Sequence, residues 1–336
     1  MKQNQELNRR QWLGHAAGAA ALLVGASPLG ASAAEPWPTK PVKIVVPFNA
    51  GGATDTVARV IGEKLSARLG QPVLVDNKGG AAGILGTDAV AKAAPDGYTL
   101  VLSLSTSLLI NQFLYTKMPY NPQRDLALVS LIAVAPTVLV VNASLPVSNG
   151  AELMAYMAKN KGKLSYGSWG VGSQAHLAGA HMSQAQDAEM SHVAYKGEAP
   201  MLQDLIGGQI QMAFASALGA KPHIETGKLK AIGVTGEQRM TVLPNVPTLP
   251  EQGLKDEVYR TSGWVGMAAP AKTPVDIVQK ISSEVRAVCA LPDVKERIAS
   301  MGFMAVGNTP EQFGTFYKRE YPVWERLVKQ SGAQLD

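Results

Sequence analysis

The sequence predicts an α/β protein built as two doubly wound lobes with a cleft between them, and three observations predict it. Strand-like and helix-like patterns alternate from residue 42 to residue 234, which implies apolar parallel strands covered by helices on both faces. The chain has 336 residues, 46% of them hydrophobic, and a chain beyond roughly 250 residues splits into more than one core. Two apolar extended stretches, residues 135–142 (APTVLVVN) and 264–269 (WVGMAA), are each followed shortly by proline and a new helix start. They read as crossings between lobes, and two lobes joined by two extended strands can hinge around a ligand.

The elements follow in order. Residues 42–47 (VKIVVP) form a β-branched run bounded by prolines. A helix follows over 54–69, with Val57, Val60, Ile61, Leu65 and Leu69 at helical spacing and Gly70 as its stop. A strand over 73–75, a helix over 83–94 and the turn Pro95-Asp96-Gly97 lead to a strand over 98–104. Later strands fall at 163–166, 190–194, 210–214 and 229–234, with helices at 174–184, 199–206 and 217–226. The chain then turns helical: Thr273-Pro274 and Thr309-Pro310-Glu311-Gln312 read as capped helix starts with proline at the first helical position. The division expected is lobe 1 from residues 35–138 with 262–336, and lobe 2 from residues 139–261.

Residues 1–34 read as an address. Arg9 and Arg10 precede the apolar run of residues 12–24, and the segment closes on Ala31-Ser32-Ala33-Ala34, the pattern of a secretory signal peptide. The run is too short to span a bilayer, which takes about 20 apolar residues. Arg9-Arg10 before Trp12-Leu13 also fits a twin-arginine signal, so export by either route is expected, to the periplasm. Removing this segment leaves 28 basic and 25 acidic residues. That mild excess, without lysine or arginine blocks, gives nucleic-acid binding no electrostatic footprint. The one cysteine, Cys289, excludes an internal disulfide and reads as a buried thiol within a helix.

Two strand-to-helix junctions carry the candidate site, one in each lobe. The first holds Phe48, Ala50, Gly51, Gly52, Thr54 and Asp55; the second holds Ser168, Trp169, Gly170, Gly172, Ser173 and His176. Glycine lets backbone approach a ligand closely, and the free N–H groups of a first helical turn favour negative charge. Facing each other across a cleft, the two junctions would clamp a carboxylate without any lysine or arginine. The same loops are also ordinary connections, since a Ser or Thr before a helix caps it. Asp55 either accepts from a ligand amine or sits in a helix's first turn favoured by the dipole. Trp169 either stacks on a ligand or covers its loop, and His176 reads as a capping or packing residue.

Catalysis has no visible constellation. No G-x-S-x-G elbow or Walker loop is present, and His176, His181, His192 and His223 lack metal-ligand spacing. No metal and no cofactor is expected. Gly170-x-Gly172-x-x-Ala175 matches a loose dinucleotide fingerprint, but Tyr195 and Lys196 stand where a ribose-binding acid would follow. An exported dinucleotide-dependent oxidoreductase is the alternative this leaves.

The chain resembles the tripartite tricarboxylate transporter receptors, also called Bug receptors. The likeness runs through Pro47-Phe48-x-Ala50-Gly51-Gly52-x-x-Asp55-x-x-Ala58-Arg59, Asn77-Lys78-Gly79-Gly80-Ala81-x-Gly83 and Ala94-Pro95-Asp96-Gly97-Tyr98. It continues in Gly167-Ser168-x-Gly170-x-Gly172-Ser173-x-x-His176, Tyr195-Lys196-Gly197, Leu243-Pro244-Asn245-Val246-Pro247-Thr248 and Trp264-x-Gly266. The resemblance implies a type II periplasmic-binding-protein fold and a monomeric receptor, not an enzyme, for a small organic carboxylate. It implies an integral-membrane permease as partner, or alternatively a membrane signalling protein that the receptor serves as a sensor. Carried over by motif, the ligand loops are residues 48–55 and 168–173, with Tyr195, Gly197 and Ala215 lining the same cleft. Where the family often has Phe-Asp, this chain has Phe214-Ala215-Ser216. Loss of that acid predicts a purely anionic ligand, or a carboxylate on an apolar or aromatic body, rather than an α-amino acid.

Overall fold

The computed structural model describes residues 37–335, so the expected signal segment lies outside the described residues. The chain divides into two units, Met1–Thr39 and Lys40–Asp336. Of the first, residues 37–39 are described and hold no helix or strand. The rest of this account concerns the second.

Its first half-sheet follows the predicted alternation: β1 (Val42–Val46), α1 (Ala53–Leu69), β2 (Val73–Asn77), α2 (Ile84–Ala91) and β3 (Thr99–Leu104). α1 ends on Gly70 at φ 67°, the left-handed stop its sequence offers. A π-type turn (Thr106–Ile110) and the short helices α3 (Asn111–Leu114) and α4 (Pro122–Asp125) lead into β4 (Leu126–Ala135). The chain then enters a second sheet through β5 (Val138–Asn142), α5 (Gly150–Lys159), β6 (Ser165–Ser168), α6 (Gln174–Ala185) and β7 (Ser191–Ala194). α7 (Glu198–Ile206), β8 (Met212–Ala215), α8 (Ala217–Glu225) and β9 (Leu229–Val234) complete that sheet. A one-turn helix, α9 (Glu257–Arg260), precedes the return strand β10 (Gly263–Pro270), and α10 (Val275–Ala290), α11 (Pro292–Ser300), β11 (Met304–Ala305) and α12 (Pro310–Ser331) end the chain.

The strands form a six-stranded sheet in the order β11-β4-β10-β3-β1-β2 and a five-stranded sheet in the order β7-β6-β8-β5-β9. Neither is wholly parallel, which corrects the sequence expectation. β10 runs antiparallel to both β3 and β4, and β5 runs antiparallel to both β8 and β9. The reason is the crossing itself. A strand arriving from the other sheet enters at the edge where its neighbours end, so it must run against them. The consequence places the site: β1, β3 and β4 of one sheet, and β6, β8 and β9 of the other, all end towards the space between the sheets. Ligands of open α/β sheets bind at such carboxyl ends.

The predicted helix caps separate into one realised and one displaced. Thr309 forms a capping box, its hydroxyl accepting from Gln312 N while Gln312 Oε1 accepts from Thr309 N. At the other start, Pro274 is itself the cap position, and Thr273 turns its hydroxyl back to Pro270 O at 2.8 Å. Cys289 is buried, and burial pushes its thiol up to about 12. Among the described residues no helix is long and apolar enough to cross a membrane.

α12 packs against β4 and also against α6 of the second sheet, where Gln184 Nε2 donates to Gln330 O at 2.7 Å. Its Phe313 lies edge-on to Trp264 of β10, ring centroids 5.5 Å apart, and both side chains are fully buried. Gly266 makes room for this ring: a Cβ there would stand 2.6 Å from Phe313 Cζ. Overpacking of this kind costs typically 1–3 kcal/mol. Gly266→Val is therefore expected to lower unfolding free energy by about 2–3 kcal/mol, read from the denaturant midpoint; an unchanged midpoint would show that α12 yields freely.

Candidate functional site

A cavity of about 490 Å³ opens where the strand ends of the two sheets meet. It is lined from the first sheet by Phe48, Asn49, Gly52, Thr54 and Asp55 and by the end of β3, Leu104 and Ser105. From the second sheet come Trp169, Gly170, Ser173, Gln174, Gly197, Glu198 and Ser216. The crossings themselves, Ala135, Pro136, Thr137 and Gly263, also face it.

The first junction is held by one buried carboxylate. Asp55, 3% exposed, accepts from Gly51 N at 2.8 Å, from Arg59 Nε at 3.0 Å and from Asn77 Nδ2 at 3.0 Å. Asn77 Nδ2 also reaches Phe48 O at 3.1 Å, and Arg59 Nη2 reaches Asn77 Oδ1 at 3.1 Å. Burial by itself raises a carboxyl pKa; here the donors Arg59, Gly51 and Asn77 outweigh it and hold Asp55 below its ordinary 3.8. An ionised Asp55 thus fixes the loop from Phe48 to Gly52 against the start of α1. Gly52 caps α1 with no side-chain acceptor, so first-turn N–H groups at Ala53 and Thr54 are left without an intrahelical partner at the cavity wall.

The second junction is built differently. Ser168 is fully buried and turns away from the cavity, bonding Gly170 O at 3.0 Å and His192 Nε2 at 2.8 Å. Ser173 caps α6, its hydroxyl accepting from His176 N at 3.3 Å. Gly172 N donates to His176 Nδ1 at 3.1 Å, which leaves the ring proton on Nε2. Behind the loop, the His176 and His192 rings stack at 4.0 Å and His192 stacks on Tyr166 at 5.0 Å. The glycine N–H groups that a pyrophosphate would need are therefore occupied within the loop, Gly170 N on Ser168 Oγ and Gly172 N on His176. Among the described residues no group of three His, Cys, Asp or Glu is placed to hold a metal ion.

Of the residues singled out by sequence, the cavity brings together Phe48, Gly52, Thr54, Asp55, Trp169, Gly170, Ser173 and Gly197. Ala50, Gly51, Ser168, Gly172, His176, Tyr195 and Ala215 stand outside its lining. Tyr195, for instance, donates its hydroxyl to Asp204 at 2.7 Å, and Ala215 is fully buried beside Ser216, which faces the cavity instead. Trp169 is half-buried against both hydrophobic cores and also lines the cavity.

Sequence reasoning missed Ser105, Gln174, Ser216 and, above all, Glu198. The rule that ligands sit at strand ends points to Ser105 and Ser216, one residue past β3 and β8. Gln174 is 7% exposed; its amide donates to Thr261 O at 2.9 Å and accepts from Gly263 N at 3.0 Å, tying the second junction to the start of β10. Glu198 accepts from Ser216 Oγ at 2.7 Å and from Ser216 N. It brings a carboxylate to the strand end where Ala215 has none, and this removes the ground on which an ammonium-bearing ligand was disfavoured.

The comparisons agree with this geometry. Residues 57–333 match the family model described as tripartite tricarboxylate transporter family receptor. Protein BugT of Bordetella pertussis is 35% identical over 303 residues, covering 90% of this chain and 92% of the relative. An R. palustris protein, Rpa4515, solved with adipate superposes with a TM-score of 0.80 at 34% identity, over 89% of this chain and 100% of that one. MatC from Rhodopseudomonas palustris, solved with malate, gives 0.75 at 31% identity, over 87% and 100%.

His176 gives the loop a pH dependence. Burial, with His192 beside it, lowers its pKa from 6.5 to about 4. Below pH 6.5 the unfolded ring takes up a proton that the folded ring refuses until about pH 4. The stability is thus fully present above 6.5 and is lost as pH falls through that window. Melting temperature is expected to fall across it, and less steeply in His176→Gln; superimposable profiles for the two proteins would remove His176 as the cause.

Proposed function

The chain belongs to the tripartite tricarboxylate transporter family of receptors, and from that premise we propose that it captures a small organic carboxylate in the periplasm and presents it to an integral-membrane permease. The observation that carries this reading is the cavity between the strand ends. It is walled by the uncapped N-terminus of α1, and no lysine, arginine or histidine lines it among the described residues. A carboxylate there is held by oriented backbone N–H groups and the helix dipole rather than by a cation.

The bound relatives support the ligand class, since adipate and malate are the molecules named with two similar structures. In this chain the direct contacts we assign are the loop around Gly52, Thr54 and Asp55 on one side and Trp169, Gly170, Ser173 and Gly197 on the other. Lobe 1 is assigned to residues 35–138 and 262–336, lobe 2 to residues 139–261, and Pro136–Thr137 with the segment before Gly263 to the two hinges. Closure is driven by the ligand's higher affinity for the closed arrangement. The protein acts as a monomer, performs no chemistry on its ligand and needs no cofactor. Residues 1–34 direct export.

A thermal-shift screen of the purified protein against small carboxylates, amino acids and dinucleotides tests this. A true ligand at a hundred times its dissociation constant adds about 2.7 kcal/mol, a rise of about 5 °C for a protein of this size. A shift with one carboxylate class is expected. A shift with a dinucleotide and none with any carboxylate would overturn the reading.

A further inference from the structure

We propose that Glu198 is the specificity-determining acid of the cleft, and that the ligand is a carboxylate that also bears a cationic nitrogen. This rests on the reading of the cavity as a carboxylate site and adds which carboxylate it takes.

Among the described residues two charged side chains line the cavity, Asp55 and Glu198, and both are acids. Asp55 is neutralised where it stands, Arg59 Nη2 lying 3.0 Å from its carboxylate. Glu198 makes no ion pair with any described residue. Its hydrogen bonds come from a single residue, Ser216, through N–H and hydroxyl. A carboxylate offers about four acceptor sites, so the two bonds from Ser216 leave acceptor capacity unused, with no cation paired to it among the described residues. The pairing also fixes the group in place. Ser216 caps α8 through Gly219 N at 3.0 Å, and a Cβ at Gly219 would stand 2.8 Å from Glu198 Oε2, so α8 starts hard against the carboxylate.

The cavity therefore has two unlike ends. The uncapped start of α1 favours an anion. The start of α7 is uncapped as well, but it carries Glu198 in its own first turn, which offsets its dipole and repels a second anion. A ligand with a carboxylate at one end and an ammonium towards the other satisfies both ends. A dicarboxylate must place its second anion near an acid that has no cation beside it.

Isothermal titration of the full-length protein tests this with short straight-chain acids, each as plain monocarboxylate, dicarboxylate, and α- and ω-amino derivatives. For at least one chain length, an amino derivative is expected to bind about tenfold or more tightly than the dicarboxylate. Glu198→Gln keeps an acceptor for Ser216 N, and is expected to erase that margin by weakening the amino derivative relative to the dicarboxylate. Glu198→Asp, which retains the charge, is expected to keep the margin and serves where the glutamine variant does not fold. Tighter binding of dicarboxylates at every length, or a margin that survives Glu198→Gln, overturns the role of Glu198 and leaves the carboxylate receptor standing. Failure of every acid to bind overturns both.

Discussion

The direction of β10 is the constraint on which the rest of the structure depends. It is the strand by which the chain returns from the second sheet, and it lies between β3 and β4, antiparallel to both and buried along nearly its whole length. Its first residue must then stand at the edge where β3 and β4 end, so Gly263 and Ala135 meet at the cavity wall. The second sheet repeats the arrangement through β5, whose Val138 pairs with Ala215 and Val234 at the ends of their strands. Between the two lies a joint of threonines: Thr235 N donates to Thr137 O at 2.8 Å, and Thr137 N to Thr235 Oγ1 at 2.9 Å. Strand polarity thus turns two separate sheets into one cleft.

The electrostatics of the cleft follow from what its charged groups already do. A first helical turn offers N–H groups and the positive end of a dipole, at lower desolvation cost than a buried lysine would carry. That device works only if nearby acids are neutralised. Asp55 is, because Arg59 one turn along α1 and Asn77 on β2 converge on it. Glu198 is not: its hydrogen bonds come from Ser216, and no cation stands beside it among the described residues. The histidine stack behind the second loop completes the division of labour. His176 carries no charge at neutral pH and accepts a backbone N–H, so it sets the shape of the Gly170–Gly172 turn without adding a field.

Much of the fold was legible because it is encoded locally. The strand at Leu229–Val234 was read with its observed bounds, and the helix opening at Thr309 was announced by its own capping box. What was missed is non-local. Mixed strand polarity depends on which edge the chain enters, and no periodicity records that. Strands β6 and β8 extend past their predicted ends to Ser168 and Ala215, because pairing with neighbours prolongs a strand beyond its apolar run. At the site, the glycine loops were visible as loops, yet Ser168 and His176 proved to support rather than line the cavity. Glu198 was invisible for a related reason: an acid in a helix's first turn is what the dipole favours anywhere, and only the fold shows that Ser216 and the cavity stand beside it.

The same architecture limits how a cleft of this kind can open. α12 touches β4 of the first sheet and α6 of the second, with Gln184 bonded to Gln330 O and Arg326 paired with Glu257. Contacts that bridge two moving bodies survive rotation only near its axis, so the hinge reading requires the axis to pass close to this helix. The two chain crossings must lie on that side as well, which Gln174 favours by clamping Thr261 and Gly263. Contacts far from the axis must then break. Two close contacts are made through glycine, Gly302 against Ala217 and Gly172 against Leu114: a Cβ on the glycine would sit 2.5 Å or 2.2 Å from its neighbour. A glycine at each point lets its neighbour approach the backbone closely. A weak seal is what the mechanism demands, because a ligand can close the cleft by no more than its own differential affinity. A seal stable by itself would leave the empty receptor shut.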